Sequence, residues 1–220
     1  MHISSFINLV PKLQKIELPG IEAQYKLAPF HRKEDLQKID FSKLKAKKSA
    51  VLALFFPDEN ETMQLVFILR KSYKGVHSNQ IGFPGGRYEE DDINFEFTAK
   101  RETEEEIGID KNDIQVVREL TQMYIPPSNF IVHPFIGFID YTPKFIKQET
   151  EVEDIFSACL EDCLNDKNII KTIISASYSK NTEVKAFKLN KKIVWGATAM
   201  MLSEIRDIFK NISQVNLKVS

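Results

Sequence analysis

The side chains best suited to chemistry lie in Gly82–Ile109, a stretch that begins in a glycine-rich turn and ends in a run of carboxylates. If its second half is a helix that begins near Ile93, then Glu102, Glu105 and Glu106 share one face, because each residue turns a helix by about 100°. Three like charges so close repel one another, and the C-terminal end of a helix favours cations instead. Such violations of local rules are expected at functional sites. A hard divalent cation, Mg²⁺ or Mn²⁺, would remove the conflict by taking carboxylate and carbonyl oxygens.

The neighbouring residues favour a metal site over a merely solvated acidic helix face, which is the alternative for such a run of charges. Arg101 lies four residues before Glu105, at the spacing that lets two side chains of a helix meet. Gly85 and Gly86 allow the backbone to pass close to the carboxylates, where a carbonyl oxygen becomes a further ligand. The pattern therefore predicts that the glycine turn and the acidic helix form one site.

The segment Arg101–Ile109, RETEEEIGI, resembles the signature helix of the Nudix hydrolases. Arginine, the three glutamates, the glycine and the last aliphatic residue all fall at the positions of that pattern. Thr103 replaces the usual aliphatic residue, and the spacer after Gly86 is one residue longer than in the commonest version. Ile93 holds the position of an expected upstream glutamate, and the nearest acids are the pair Asp91–Asp92.

The segment His77–Gly86, HSNQIGFPGG, resembles the coenzyme A pyrophosphatase branch of the same family, with Asn79 where that branch favours glycine. The longer spacer and the segment Trp195–Ala199, WGATA, are also similar to that branch. The resemblance implies a hydrolase, dependent on Mg²⁺ or Mn²⁺, that cleaves coenzyme A into 3′,5′-ADP and 4′-phosphopantetheine. A polyanionic pyrophosphate binds an acidic protein site through metal ions, which also lower the pKa of a bound water.

Nine residues are predicted for the site. The predicted metal ligands are Glu102, Glu105, Glu106 and the carbonyl of Gly85. The predicted catalytic residues are Arg101, Glu102, Glu105 and Glu151, and the general base is one of the helix glutamates or an acid from the later loops, for which Glu151 is the candidate. The residues predicted to contact the substrate are Arg70, His77 and Gly86. Two alternatives stay open, in which Glu151 is only a charge at a helix start and Arg70 is only an ion-pair partner at a strand end.

Hydrophobic periodicity predicts the elements that would position these groups. Two continuous apolar runs, Ser49–Pro57 and Met63–Arg70, predict a hairpin in the centre of a buried sheet. Asp91 or Asp92 is predicted to cap the acidic helix, and Gly108 to end it. Further strands are predicted at 80–83, 114–117, 120–125, 132–139, 169–174 and 184–189, and further helices at 3–15, 153–164 and 195–209. Between the first helix and the hairpin, an extended linking segment and a basic stretch at 32–48 are predicted, the latter a solvated face or, alternatively, a phosphate contact.

These elements predict a single mixed α/β domain, and the family resemblance makes it a Nudix-type α/β/α sandwich with a mixed central sheet. Residues 46–220 would form the Nudix hydrolase domain. Residues 1–45 would form an N-terminal helix and an extended segment that pack on it.

Composition limits the partners. The net charge is −1 over 220 residues, which gives no reason to expect nucleic acid or a membrane surface. Because no apolar run reaches the length of a membrane span and no signal-peptide pattern is present, a cytoplasmic location is predicted. The predicted partner is a small molecule, coenzyme A or a related nucleotide, and the family's frequent dimerisation allows a homodimer.

Three other functions stay open at this point. The chain could be a Nudix hydrolase for ADP-ribose, a dinucleotide or a damaged nucleotide. It could be a non-catalytic Nudix module that binds a nucleotide or a protein. The acidic helix could also be purely structural, in which case its charges would be neutral to loss.

Overall fold

The computed structural model describes residues 1–28, 43–72, 77–176 and 179–219, so most of the basic stretch predicted at 32–48 lies outside the described residues. The helices are α1 (Ile3–Lys15), α2 (Gly20–Tyr25), α3 (Phe95–Ile107), α4 (Leu160–Leu164) and α5 (Gly196–Val219), with a 3-10 turn at Asp166–Asn168. The strands are β1 (Lys47–Pro57), β2 (Met63–Arg70), β3 (Ile81–Gly82), β4 (Gly85–Arg87), β5 (Gln115–Glu119), β6 (Met123–Ile125), β7 (Phe130–Phe138), β8 (Val152–Cys159), β9 (Ile169–Ala176), β10 (Ser179–Leu189) and β11 (Lys192–Val194).

Strand β1 is the centre of an eight-stranded sheet with the order β3-β2-β1-β7-β5, to which β4, β6 and β8 add beside β1, β7 and β2. The hairpin of β1 and β2 is confirmed, with Phe55 opposite Leu65. Strands β1 and β7 run parallel, whereas the other pairs of this sheet are antiparallel, so the sheet is mixed as predicted. A second sheet of three strands has the order β11-β10-β9.

The main sheet is buried on both faces, which explains why its central strands are apolar without alternation. Along β1, Ala53 and Phe55 belong to one hydrophobic cluster, whereas Leu52 and Leu54 belong to another on the opposite face. Helices α1 and α5 contribute to the first cluster, and α3 contributes to the second. The α/β/α layering predicted from the sequence is therefore present.

An aromatic group joins both ends of the described chain to the central strand. The ring of Phe6 in α1 lies 5.3 Å from that of Phe55 in β1 and 6.2 Å from that of Phe209 in α5, measured between centroids. All three side chains are buried. Within the described ranges, no helix combines the length and the apolar character needed to cross a membrane.

Two predicted elements are wrong. Residues 153–159, predicted as the start of a helix, belong to strand β8, which pairs with β2 and places Phe156 opposite Phe67. Only Leu160–Leu164 is helical there. The linking segment after α1 is not wholly extended, because α2 begins at Gly20. The last helix starts one residue after the predicted Trp195 and continues well beyond Phe209.

Candidate active site

The glycine turn becomes strand β4, which lies against the central strand and against α3. Gly85 pairs with Val51 and Gly86 with Ala50. A Cβ atom on Gly85 would lie 2.3 Å from the carbonyl oxygen of Ala50, and one on Gly86 would lie 2.3 Å from the carboxyl carbon of Glu102. Gly85 also has a φ of +146°, a conformation that side chains rarely adopt. Glycine at both positions is what brings the backbone of β4 into contact with the carboxylates.

Helix α3 begins after Asn94, whose side-chain oxygen accepts a hydrogen bond of 2.8 Å from a backbone N–H of the first turn. The predicted cap at Asp91 or Asp92 is therefore wrong, and the helix starts two residues after the predicted Ile93. Gly108 ends the helix as predicted, with a φ of +74°. The cap is therefore an amide, and the carboxylate of Asp92 has another partner.

That partner is Arg101. Its Nε lies 2.9 Å from one oxygen of Asp92 and its Nη2 lies 2.9 Å from the other. The hydroxyl of Thr98 and the backbone N–H of Glu89 donate further hydrogen bonds to Asp92, at 2.8 and 3.0 Å. These donors, the arginine first, lower the pKa of Asp92 to about 2. Ile93, which holds the acid's position in the sequence pattern, is 80% exposed, so Asp92 is the acid that meets the arginine.

The other side of the Arg101 guanidinium faces the carboxylates of α3. Its Nη1 donates to Glu102 at 3.0 Å and to Glu105 at 3.3 Å, and its Nη2 donates to the carbonyl oxygen of Arg87 at 3.1 Å. The predicted contact between Arg101 and Glu105 is therefore present. One guanidinium connects the loop before the helix, the end of β4 and two carboxylates.

Glu106 lies beneath the cleft and is 1% exposed. Its Oε2 accepts a hydrogen bond of 2.7 Å from the backbone N–H of Gly85. Its Oε1 lies 3.1 Å from Nη1 of Arg70 but has no hydrogen-bond partner, because that approach lacks hydrogen-bond geometry. Arg70 donates instead to the carbonyl oxygen of Gly85 at 2.5 Å. Burial raises the pKa of Glu106 to about 7, against the opposing effects of Arg70 and the Gly85 N–H.

Glu102 and Glu151 face the same region from different elements. Burial raises the pKa of Glu102, and the charge of Glu151 raises the pKa of both Glu102 and Glu106. The carbonyl oxygen of Glu151 accepts a hydrogen bond of 2.8 Å from the backbone N–H of Lys71. Since the residues after Glu151 form a strand, its charge does not lie at a helix start.

Most of these groups line one cleft with a volume of about 490 Å³, whereas Glu106 and Asp92 are buried and do not line it. Of the nine residues that the sequence predicts for the site, the cleft is lined by Arg70, His77, Gly85, Gly86, Arg101, Glu102, Glu105 and Glu151. Nδ1 of His77 lies 3.3 Å from Oε1 of Gln80, and burial lowers the pKa of His77. The cleft is also lined by Arg87 and Glu89, which were not predicted as site residues although Arg87 directly follows the two glycines.

Comparison with known families identifies the chain. The family model of the NUDIX domain matches residues 46–172, more than half of the 220-residue chain. The chain belongs to the Nudix family. All nine residues predicted for the site lie within this matched range.

Curated relatives and a solved structure agree with this assignment. Nudix hydrolase 15, mitochondrial, of Arabidopsis thaliana is 37% identical over 131 residues, which are 59% of this chain and 46% of that protein. A peroxisomal coenzyme A diphosphatase of Caenorhabditis elegans is 28% identical over 178 residues, 77% of this chain and 74% of that protein. The chain spans less than half the length of its Arabidopsis relatives. The structure of a MutT/nudix family protein from Enterococcus faecalis shares the fold, at 16% identity and a TM-score of 0.54 over 86% of this chain and 73% of that one.

Nudix hydrolases generally use divalent metal ions, and the donor set here fits one. Among the described residues, no three His, Cys, Asp or Glu side chains already stand as a preformed metal cage. However, Mg²⁺ keeps several waters and needs only one or two carboxylates from the protein. Glu106 has a buried carboxylate oxygen without a hydrogen bond. The carboxylate of Glu102 lies so close to the backbone of Gly86 that no methyl group would fit between them. The carboxylate oxygens of Glu106 and Glu102 are hard ligands that suit Mg²⁺ or Mn²⁺.

Proposed function

We propose that this Nudix chain is a metal-dependent pyrophosphohydrolase that cleaves the diphosphate of coenzyme A, or of a derivative, into 3′,5′-ADP and 4′-phosphopantetheine. The observation that carries the proposal is the contact between α3 and β4, which gathers carboxylates, glycine backbone and two arginines in one cleft. The similarity of His77–Gly86 to the coenzyme A branch supports the substrate, as does the name of the C. elegans relative.

In this proposal, Glu102, Glu105, Glu106 and the carbonyl of Gly85 hold Mg²⁺ or Mn²⁺. The bound metal supplies a Lewis acid for the phosphate oxygens and a water of lowered pKa. Arg101, anchored by Asp92, keeps Glu102 and Glu105 directed at the cleft. Without that anchor, the two carboxylates would repel each other and turn to solvent.

A general base must also take a proton from the attacking water. We assign this role to Glu151 or Glu102, since both line the cleft and interact electrostatically. Arg70, His77 and the backbone of Gly86 would contact the substrate. Arg70 suits this role because its guanidinium already bridges Glu106 and Gly85, and a planar cation forms two hydrogen bonds with phosphate readily.

The test is to incubate the protein with coenzyme A and Mg²⁺ and to separate the products by chromatography. We expect 3′,5′-ADP and 4′-phosphopantetheine, and a loss of at least about 100-fold in kcat for Glu102→Gln. Glu104→Gln is the matched control, because Glu104 in the same helix binds Lys111 at 2.6 Å and does not line the cleft. No turnover with Mg²⁺ or Mn²⁺, or equal loss in both variants, would contradict the proposal.

A panel that adds ADP-ribose and a dinucleotide decides between coenzyme A and another nucleoside diphosphate derivative. A marked preference for a substrate without pantetheine would favour a hydrolase for another nucleoside diphosphate derivative. Nucleotide binding that depends on Glu102 but is not followed by hydrolysis would favour a non-catalytic binding module. The cytoplasmic location stays a prediction, because relatives carry mitochondrial and peroxisomal names. The homodimer also stays a prediction.

A further inference from the structure

The loop between β7 and β8 carries Glu151 in a turn that is built around the side chain of Gln148. Oε1 of Gln148 accepts three hydrogen bonds of 2.8 Å, from the backbone N–H of Thr150, from the hydroxyl of Thr150 and from the backbone N–H of Glu151. The backbone carbonyl of Gln148 also accepts a hydrogen bond of 3.0 Å from the N–H of Val152. One residue therefore binds the donors on both sides of Glu151.

Gln148 also attaches this turn to the acidic helix. Its backbone N–H donates to the carbonyl oxygen of Glu106 at 3.1 Å, and the N–H of Ile146 donates to the carbonyl oxygen of Ile107 at 2.9 Å. Carbonyls in the last turn of a helix have no partner within the helix, so these two hydrogen bonds satisfy groups that would otherwise be unpaired. The turn is therefore fixed relative to the end of α3 that carries the candidate metal ligands.

The backbone of Glu151 is held from two directions. Its N–H donates to Gln148, and its carbonyl oxygen accepts a hydrogen bond of 2.8 Å from the N–H of Lys71, the residue after β2. The side chain of Glu151 is exposed and lines the cleft. Because the side chain itself is exposed, the position of its carboxylate depends on how the backbone of the turn is held.

The two candidates for the general base differ in their hydrogen bonds. Glu102 accepts a hydrogen bond of 3.0 Å from the guanidinium of Arg101, which stabilises its ionised form. Within the described part of the chain, no group donates a hydrogen bond to the carboxylate of Glu151. The carboxylate of Glu151 is therefore the freer of the two to accept a proton.

We propose that Glu151 is the general base and that Gln148 is its positioning residue. The proposal rests on the proposed function, because it assigns one step of that hydrolysis. The carboxylate of Glu151 takes a proton from the attacking water, the water oxygen bonds to phosphorus, and the bridging oxygen leaves on the other phosphate. Gln148 does not touch the substrate and acts only by holding the turn that carries Glu151.

The test is a double-mutant cycle measured by steady-state kinetics. Glu151→Gln should lower kcat by about 100-fold, the usual scale of general-base catalysis. Gln148→Met keeps the length of the side chain but loses the acceptor oxygen. It should lower kcat by about tenfold and leave KM within about twofold, because a displaced base affects the chemical step and not substrate binding. When Glu151→Gln is already present, Gln148→Met should change kcat by less than about twofold, because Gln148 acts only through Glu151.

Two further variants separate the acceptor oxygen from other effects on the loop. Glu149→Met is the matched control, since Glu149 is 75% exposed, pairs with Lys147 at 3.3 Å and does not line the cleft. It should leave kcat within about twofold of the unmodified chain. Gln148→Glu keeps an acceptor oxygen on a side chain of the same length and should retain kcat within about threefold.

Three results would overturn the proposal while leaving the proposed function in place. They are an unchanged kcat in Gln148→Met, an unchanged kcat in Glu151→Gln, and a tenfold loss from Gln148→Met that persists when Glu151→Gln is present. The last result would mean that Gln148 acts through the end of α3 and not through Glu151. If the unmodified chain hydrolyses neither coenzyme A nor another nucleoside diphosphate derivative, the proposed function is overturned, and this role with it.

Discussion

Asp92 and Arg101 form a doubly bonded ion pair, with both nitrogen–oxygen distances at 2.9 Å and the carboxylate only 2% exposed. The pair joins the loop before α3 to the middle of that helix. Because the remaining nitrogen of Arg101 donates to Glu102, the orientation of this candidate metal ligand depends on an acid ten residues earlier in the chain.

The first prediction concerns the stability that this pair contributes. The folded pKa of Asp92 is about 2 and the ordinary value is 3.8, so the contribution is fully present above about pH 4 and is lost as the pH falls through about 2. Asp92→Asn should lower the free energy of unfolding at neutral pH by about 2 kcal/mol. Urea denaturation measures this loss, which should shrink as the pH approaches 2.

Asp91→Asn is the matched control, since the adjacent Asp91 is exposed. It removes one carboxylate from the same loop and should change the free energy of unfolding by less than about 0.5 kcal/mol. Equal destabilisation by the two variants would mean that the charge of the loop matters and the ion pair does not.

The second prediction concerns the contact between β4 and α3. Gly86→Ala should reduce kcat by at least about 100-fold, because the added methyl group would lie 2.3 Å from the carboxyl group of Glu102 and must displace it. Gly82→Ala is the control, since its methyl group would come no closer than 4.0 Å to the Thr198 hydroxyl. We expect it to stay within about threefold of the unmodified chain. Full activity in Gly86→Ala would show that kcat does not depend on the position of the Glu102 carboxyl group.

The third prediction concerns protons released on metal binding. Glu106 has a pKa of about 7, so below that pH a metal ion must displace a proton to bind the ionised carboxylate. The dissociation constant for Mg²⁺ should fall about fivefold between about pH 6 and pH 7 and level off above about pH 8. Calorimetry in two buffers of different ionisation enthalpy measures the released proton. Glu106→Gln should bind Mg²⁺ more weakly and without this slope; an unchanged slope would assign the proton to another group.

The fourth prediction concerns the attachment of α1. Phe6 is fully buried among the rings of Phe55, Phe138 and Phe209. Phe6→Ala should lower the free energy of unfolding by about 3–5 kcal/mol, since it removes apolar contacts and leaves a cavity. Ile7→Ala, next in the chain and 43% exposed, should cost much less. A small effect of Phe6→Ala would mean that α1 folds on the domain only loosely.

Much of the main sheet could be predicted from the sequence, because its central strands are buried on both faces and read as continuous apolar runs. The end of α3 could also be predicted, since Gly108 takes a conformation that other residues avoid. Strand β8 could not be predicted, because the sequence of its acidic first half and of the short helix after it resembles one amphipathic helix. What makes Val152–Cys159 a strand is the free edge of β2, a partner more than eighty residues earlier.

In the candidate site, too, some features could be predicted from the sequence and others could not. The grouping of the carboxylates on one helix face follows from helical geometry, and eight of the nine predicted site residues line one cleft. The pairing of Arg101 with Asp92 depends on how the loop before α3 folds back against that helix. The local sequence pattern does not predict this fold of the loop. The cleft residues of the β9–β10 hairpin were not predicted either, because their position depends on contacts between β8 and the chain that follows it.

The position of Phe55 between Phe6 and Phe209 has a consequence for synthesis. On the ribosome, β1 emerges early, but α5 emerges about 150 residues later, as the numbers of Phe55 and Phe209 indicate. Until then, the hydrophobic cluster on one face of the central strand lacks the side chains that α5 contributes. A long-range contact of this kind slows folding and leaves hydrophobic surface available to other chains. Nascent chains that stall before residue 209 should therefore be the form most dependent on chaperones.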